Sequence, residues 1–334
     1  MKQLTVIVLL LFTCLFCTSC QREDIPYLSI AVTHYNDQMS PENGMTTTIL
    51  EKTSEGDLEE AGSVPYTSQY PLAVYDASEK IIYYSAVDET GKYDQLWKYN
   101  RDTRLAEKLT DSLFAINYII PRQDDIFMIA TERGERRNKP YLYNKATGEL
   151  SEVVMDIDFN CSLCTYNPIS DRLIMSGTSY SEEEEIREKW NARSVQSEPY
   201  YPPDTYVYEL HESKADLLIQ LERFMVRHLA VKCDDEIFYS GLVQKYADIP
   251  EKQYLFKTGE TPVEYQLFKD KFPLTIYDEF VFTSENELYC IGAGEDSTKY
   301  PQGLYRYIIS EDDLDLIYDG NIFDGYVNNF IFLK

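Results

Sequence analysis

The sequence predicts an all-β protein: a six-bladed β-propeller of four-stranded antiparallel blades, its ring closed by three N-terminal strands plus one C-terminal strand. Three observations carry this. A run of four short strands, Tyr70–Thr110, recurs in variant form along most of the 334 residues. The third strand of five successive units carries an aromatic-x-aromatic pair in matching register. The strands left over at the two ends, three and one, complete one further unit. A four-strand unit repeating every 40–50 residues or so has two faces to bury and only its neighbours to bury them against, which is the physical basis of a propeller.

In the reference unit, Pro71–Tyr75 is a short apolar run and Asp76–Lys80 a polar turn. Ile81–Ser85 is β-branched and aromatic, as strands prefer. Asp88–Gly91 is a second turn, broken by glycine. Leu96–Tyr99, the turn Asn100–Arg104 and Leu105–Leu109 complete it. Before this unit come three strands: Leu28–Tyr35, Met45–Lys52 and a weaker Leu58–Val64. After it come units spanning Phe114–Met155, Phe159–Leu221, Phe224–Leu267 and Phe272–Tyr318. Only Tyr326–Leu333 remains. Joined to the three N-terminal strands, it fastens the ring and leaves no long exposed sheet edge.

The third strands fix the register. Trp97-x-Tyr99 matches Tyr141-x-Tyr143, Tyr206-x-Tyr208, Tyr254-x-Phe256 and Tyr305-x-Tyr307, at steps of 44, 65, 48 and 51 residues. Residues two apart on a strand share a face. These aromatics are therefore read as core, packed against the adjoining unit. The second strands agree: Ser85, Ala130, Ser176, Ser240 and Ile291 each follow an apolar run at the equivalent place. The first unit departs, with Thr48-x-Leu50.

The turns between first and second strands are Asp76-Ala77-Ser78-Glu79-Lys80, Pro121-Arg122-Gln123-Asp124-Asp125 and Asn167-Pro168-Ile169-Ser170-Asp171-Arg172. With the aliphatic–aromatic run that follows each, this pattern resembles the TolB-like six-bladed propellers. That family includes propellers beside prolyl-oligopeptidase catalytic domains, and its Ser-Pro-Asp-Gly-Lys-type turn appears here without the glycine. The resemblance implies the fold more than an activity. No G-x-S-x-G elbow and no Gly-rich phosphate loop occurs, so no appended peptidase domain is expected.

Composition narrows the function classes. Hydrophobic residues make up 44%, and Tyr alone numbers 29, which excludes global disorder. Lys plus Arg total 31 against 57 Asp plus Glu, a net charge of −26. A surface this acidic repels phosphate backbones, so nucleic acid is excluded as a partner.

Met1–Ser19 has one Lys followed by the apolar core Leu4–Phe16, the length and flanks of a secretory signal. It ends in Cys17-Thr18-Ser19-Cys20, followed by polar Gln21-Arg22-Glu23-Asp24. This resembles the lipobox of bacterial lipoproteins, in which small residues precede the cysteine that is lipidated. Thr18 and Ser19 fit; Cys17 stands where that family usually has Leu. The resemblance implies residues 1–19 as signal peptide, Cys20 as the acylated residue (palmitate among its chains), 20–27 as tether and 28–334 as propeller. Several acyl chains on one cysteine anchor stably. The expected location is the extracytoplasmic face of a bacterial membrane.

One unit breaks the period. Its excess is Ser181–Pro203, SEEEEIREKWNARSVQSEPYYPP. Ser181 and Glu184 suit a capping box, which predicts a short helix over Glu182–Arg193, followed by extended chain at Pro199, Pro202 and Pro203. Insertions in regular repeats map to loops and often to binding faces, so Trp190, Tyr200 and Tyr201 are candidate partner-binding residues.

Chemistry-bearing clusters are few. His34, His211 and His228 fall in different units without metal spacing, and His228 is read as a structural residue on an innermost strand. Cys161 and Cys164, three apart on a strand, are read as small buried side chains; a disulfide between distant strands stays open. Asp156/Asp158, Asp234-Asp235-Glu236 and Glu311–Asp315 sit at turns and lack the EF-hand pattern. No metal site, cofactor or catalytic residue is assigned. The preferred expectation is a monomeric, non-enzymatic, lipid-anchored envelope propeller that binds a protein, small molecule or glycan. The alternative is a carbohydrate-active hydrolase or lyase using carboxylates in the channel. A third is a sensor or immunity-type lipoprotein that recognises its partner through the insertion.

Overall fold

The computed structural model describes residues 27–34, 45–52, 57–192, 201–232, 235–243, 250–268, 272–320 and 325–334. They form six four-stranded antiparallel sheets in a ring, with a single described helix. The chain opens with β1 (Tyr27–His34), β2 (Thr46–Lys52) and β3 (Glu59–Pro65). Blade two is β4 (Ala73–Asp76), β5 (Ile81–Val87), β6 (Asp94–Asn100) and β7 (Leu105–Lys108). Blade three is β8 (Leu113–Pro121), β9 (Asp125–Glu132), β10 (Lys139–Asn144) and β11 (Leu150–Glu152). Blade four is β12 (Phe159–Asn167), β13 (Arg172–Ser179), β14 (Thr205–His211) and β15 (Lys214–Leu221), with α1 (Tyr180–Asn191) between β13 and β14. Blade five is β16 (Met225–Val231), β17 (Glu236–Leu242), β18 (Lys252–Lys257) and β19 (Val263–Glu264). Blade six is β20 (Leu274–Ser284), β21 (Glu287–Gly294), β22 (Gly303–Ile308) and β23 (Asp313–Asp319). The last strand, β24 (Gly325–Leu333), pairs with β1 and takes the innermost place in blade one. The three-plus-one closure read from the sequence is the observed one.

The core lies between blades. Trp97 and Tyr99 pack against a cluster holding Ile49 and Val64 of the preceding blade. Tyr141 and Tyr143 share a cluster with Tyr83 and Leu96, and Phe256 one with Ile174 and Val207. Tyr305 and Tyr307 meet Phe238 and Leu255. Each third-strand pair thus faces the blade before it. A fully buried side chain of this kind contributes roughly 1.5–3 kcal/mol. The seam between blades one and two adds polar ties. Asn329 accepts from Ala73 N at 3.3 Å and donates to Ala73 O at 3.1 Å, and Ser29 Oγ accepts from Tyr75 N at 3.0 Å.

The turns that lack the family's glycine find another route. Asp76 Oδ1 accepts from the Ser78 and Glu79 amides, and Asn167 Oδ1 from those of Ile169 and Ser170. Lys80 and Asp171 then take the left-handed conformation themselves, at φ 55° and 54°. That costs about 1–2 kcal/mol per residue, offset by the side-chain bonds that mimic a backbone turn.

The innermost strands share a further irregularity. Their pairing to the second strand skips Asn117 in β8, Ser162 in β12, Arg227 in β16 and Asn328 in β24. Strand β20 breaks pairing between Ile276 and Phe280. In blade two the ladder begins only at Ala73, and Ser85 Oγ takes over by accepting from Leu72 N at 3.1 Å. A bulge adds one residue, bends the strand and turns that residue's side chain out of the regular alternation. The bulges lie opposite the small second-strand positions noted above. Gly177, Gly241 and Gly292 follow Ser176, Ser240 and Ile291. A Cβ at Gly177 would stand 2.2 Å from Asn160 O, and one at Gly241 2.1 Å from Met225 O. Glycine is required there for close approach of two backbones, not for its dihedral freedom.

Two outcomes follow. Gly241→Ala forces the bulged strand away from β17 and should destabilise the fold by roughly 3 kcal/mol, the upper range of overpacking. Urea unfolding measures it, and a loss under about 0.5 kcal/mol, as at a surface site, refutes the close approach. The second concerns Asp94, which is fully buried at the start of β6. Burial outweighs hydrogen bonds from Thr67 and the Tyr70 backbone and raises its carboxyl to about 6. The folded state keeps a proton that the unfolded chain releases near its ordinary value. The associated stability is complete below that ordinary value and is lost as pH rises through about 6. Asp94→Asn should therefore stabilise the protein by up to about 3 kcal/mol near pH 7.5 and hardly at all near pH 3.5. Unfolding curves giving equal gains at both pH values would contradict this.

Candidate functional site

The six innermost strands surround a narrow channel. Its lining draws on each blade and is mostly apolar, with aliphatic residues such as Leu72, Ile119, Leu229 and Ile331 beside the rings of Phe280 and Phe330. Among the described residues no carboxylate lines it. The enclosed cavity measures about 40 Å³. At the far end Asn167, buried, donates to Val231 O at 3.1 Å and to Phe282 O at 3.4 Å, tying blades four, five and six together. Asn117 also lines the cavity, and its Oδ1 is buried without a hydrogen-bond donor.

The opposite end is the mouth, where β12 and β16 begin. Here the insertion between β13 and β14 walls off a cleft of about 340 Å³. Its sides come from blade three (Asn138), blade four (Asn160, Ser162, Thr178, Thr205) and blade five (Met225, Arg227), and the insertion contributes Glu183, Pro202 and Pro203. Leu163 lines both cleft and channel cavity, so the two spaces are neighbours there. Ser162 and Arg227 reach this mouth because they are the extra residues of their bulges; both are exposed.

The helix of the insertion begins two residues earlier than its sequence suggests. Ser179, not Ser181, is the N-cap, accepting from Glu182 N. The reason is non-local. Asp158, in the segment leading into β12, accepts from Ser179 Oγ at 2.6 Å and from Ser181 N at 2.8 Å. A carboxylate at a helix N-terminus satisfies orphan amides and the dipole together. Burial would raise this carboxyl, but these bonds hold it below its usual value. Asp156 accepts from Tyr208 Oη. Both acids of that pair thus bond to the fold, Asp156 while still exposed and Asp158 half-buried.

No residue of α1 is buried. Glu183 fastens it, accepting from Asn160 Nδ2 at 3.0 Å and Thr178 Oγ1 at 3.1 Å. The returning chain is pinned at Asp204, which accepts from Gln220 Nε2 and Arg223 N, while Glu182 accepts from Asp204 N. Pro202 and Pro203 are buried as extended chain. Of the sequence-predicted residues, Trp190 sits on α1, partly exposed. Tyr201 is 47% exposed with the Arg223 guanidinium 5.6 Å over its ring. Neither lines the cleft. Tyr200 and Cys20 lie outside the described residues.

Beside the mouth, His228 Nδ1 is 2.9 Å from Ser240 Oγ, which donates to Glu251 Oε1 at 2.9 Å. Burial works to raise Glu251, but His228, Ser240 and the Arg227 charge bring its carboxyl net below the ordinary value. The ring of His228 packs 5.7 Å from that of Phe280. This is the structural role expected of it. Cys161, Cys164 and Cys290 are buried. Among the described residues no group of three or more His, Cys, Asp or Glu could hold a metal.

The sequence reading passed over Asn117, Asn138, Asn160, Ser162, Glu183 and Arg227. One signal pointed to the bulges: an isolated Gly after a small residue inside a strand, at Ser176-Gly177 and Ser240-Gly241, marks a bulge or close approach. Nothing local marked which first-strand residue would be extruded.

No protein-family model matches the sequence, and no curated protein matches it. Solved structures do. The β-propeller domain of the Trilobed protease from Pyrococcus furiosus is 13% identical, with 88% of this chain and 80% of that one covered, at a TM-score of 0.50. A puromycin-hydrolyzing peptidase of Mycobacterium tuberculosis is 11% identical over 87% of this chain, at 0.52; this chain spans 53% of its length. TolB from Acinetobacter baumannii is 13% identical, covering 91% and 66%, at 0.45, too loose to add an argument. At such identities the likeness shows the propeller fold alone.

Proposed function

We propose that this chain is a non-enzymatic binding module of the bacterial cell envelope, a monomeric propeller held to the membrane by lipid on Cys20. Its partner, a protein or a smaller ligand, would be received at the channel mouth. The observation that carries the reading is the cleft there. At about 340 Å³ it falls in the size range of ligand sites, with convergent amide, hydroxyl and charged groups. It exists because one blade carries an insertion that the ring itself does not need. The mostly apolar channel beneath supports binding over a hydrolase or lyase working through channel carboxylates. The leader and the small residues before Cys20 support the anchor, and the net charge of −26 argues against nucleic acid.

Replacing Cys20 with Ala should move the protein from the membrane to the soluble fraction; unchanged attachment removes the anchor from the proposal. Crosslinking and pull-down from native membranes should capture a partner with the intact chain and not with one whose residues 181–203 are replaced by a short Gly/Ser link. The shortened form should still unfold cooperatively, since among the described residues of the replaced stretch only Pro202 and Pro203 are buried. Equal capture by both forms would place the interaction elsewhere.

A further inference from the structure

The mouth cleft also carries information about the chemistry of what it binds; this rests on the reading above that the cleft is the binding site. We infer that its ligand is a peptide segment bearing an aliphatic side chain next to a carboxylate. The aliphatic group would enter the channel cavity, a peptide N–H would donate to Asn117 Oδ1, and the carboxylate would meet Arg227.

Each part answers a need the free protein leaves open. The cavity has about 40 Å³ of free volume, roughly three times what one water needs, and its lining sets aliphatic side chains beside the amides of Asn117 and Asn329. Asn117 is an extra residue of β8, and its buried Oδ1 lacks a donor; an unmet buried acceptor costs about 1–3 kcal/mol. A ligand N–H recovers that. Arg227 is the extra residue of β16 and stands exposed at the cleft. Two described carboxylates at this end of the ring are engaged. Glu183 accepts from Asn160 and Thr178, and Glu251 from Ser240 with His228 beside it. The guanidinium fork therefore remains suited to an incoming carboxylate.

The same lining decides against a saccharide. A sugar's C–H face is held by stacking on an aromatic ring, and the cleft's described lining contains none. It offers instead the amides Asn138 and Asn160, which match the alternating donors and acceptors of an extended peptide.

The test uses the full chain in mild detergent against bead-displayed random octapeptides, one library with free carboxyl ends and one amidated. The wild type should enrich peptides with an aliphatic residue beside a carboxylate. Enrichment in both libraries identifies an Asp or Glu side chain, and enrichment in the free-acid library alone a chain terminus; either supports the inference. Arg227→Ala should weaken the enriched peptides about 10–100-fold, the range of a charged hydrogen bond, with Arg227→Lys recovering part. Asn117→Leu should weaken them several-fold. Neither should melt below the wild type, which separates lost binding from lost fold. Enriched peptides that bind Arg227→Ala and Asn117→Leu undiminished, or that are basic, overturn the ligand class while leaving the cleft as the site. Peptides that bind equally well to the form lacking residues 181–203 overturn the cleft itself. No enrichment from either library, with loop-dependent capture from membranes intact, overturns the peptide and keeps the module.

Discussion

A four-stranded sheet with two apolar faces cannot rest in water, and every other feature of this molecule answers that constraint. Each blade covers one face with the blade before it and the other with the blade after it. The aromatic pairs of the third strands fill these interfaces, and β24 completes blade one so that no blade is left uncovered. Stability is therefore distributed around the ring, and the channel at its centre is a by-product of closure.

Closure also explains the mouth. Six strands converging on one axis crowd their backbones, and the bulges relieve that crowding at one level of the ring. Small residues on the second strands accept the approach, to within 2.1–2.2 Å of where a Cβ would lie at Gly241 and Gly177. The extra residue of each bulge turns out of the strand's alternation. Ser162 and Arg227 so reach the mouth and Asn117 the channel cavity, and a packing solution thereby sets polar groups at the centre of the ring. The acidic exterior makes the one cationic member of that set electrostatically distinct.

Described contacts hold the insertion at its two ends. Asp158 caps α1, Glu183 ties its first turn to β12 and β13, and Asp204 fastens the returning chain. These ties fix where the insertion leaves and rejoins the ring. That is the physical separation of scaffold from site that loops on repeat folds provide.

Pattern and composition alone determined the strands, their grouping in fours, the shared blade and the packing of the conspicuous aromatics between blades, although Trp97, Tyr99, Tyr206 and Tyr254 are only half-buried. All of these follow from periodicity, which is local and repeated. The helix was legible, but its first residue was not, because its cap comes from Asp158, 21 residues before Ser179 in the chain. Glu183 looked like one of four identical acids until tertiary contacts singled it out. Asn138, Asn160 and Arg227 sit on three different blades, and no spacing relates them. Only the tertiary structure brought them together, because ring closure sets which residues of distant strands share the mouth, and a one-residue bulge decides which of them faces it.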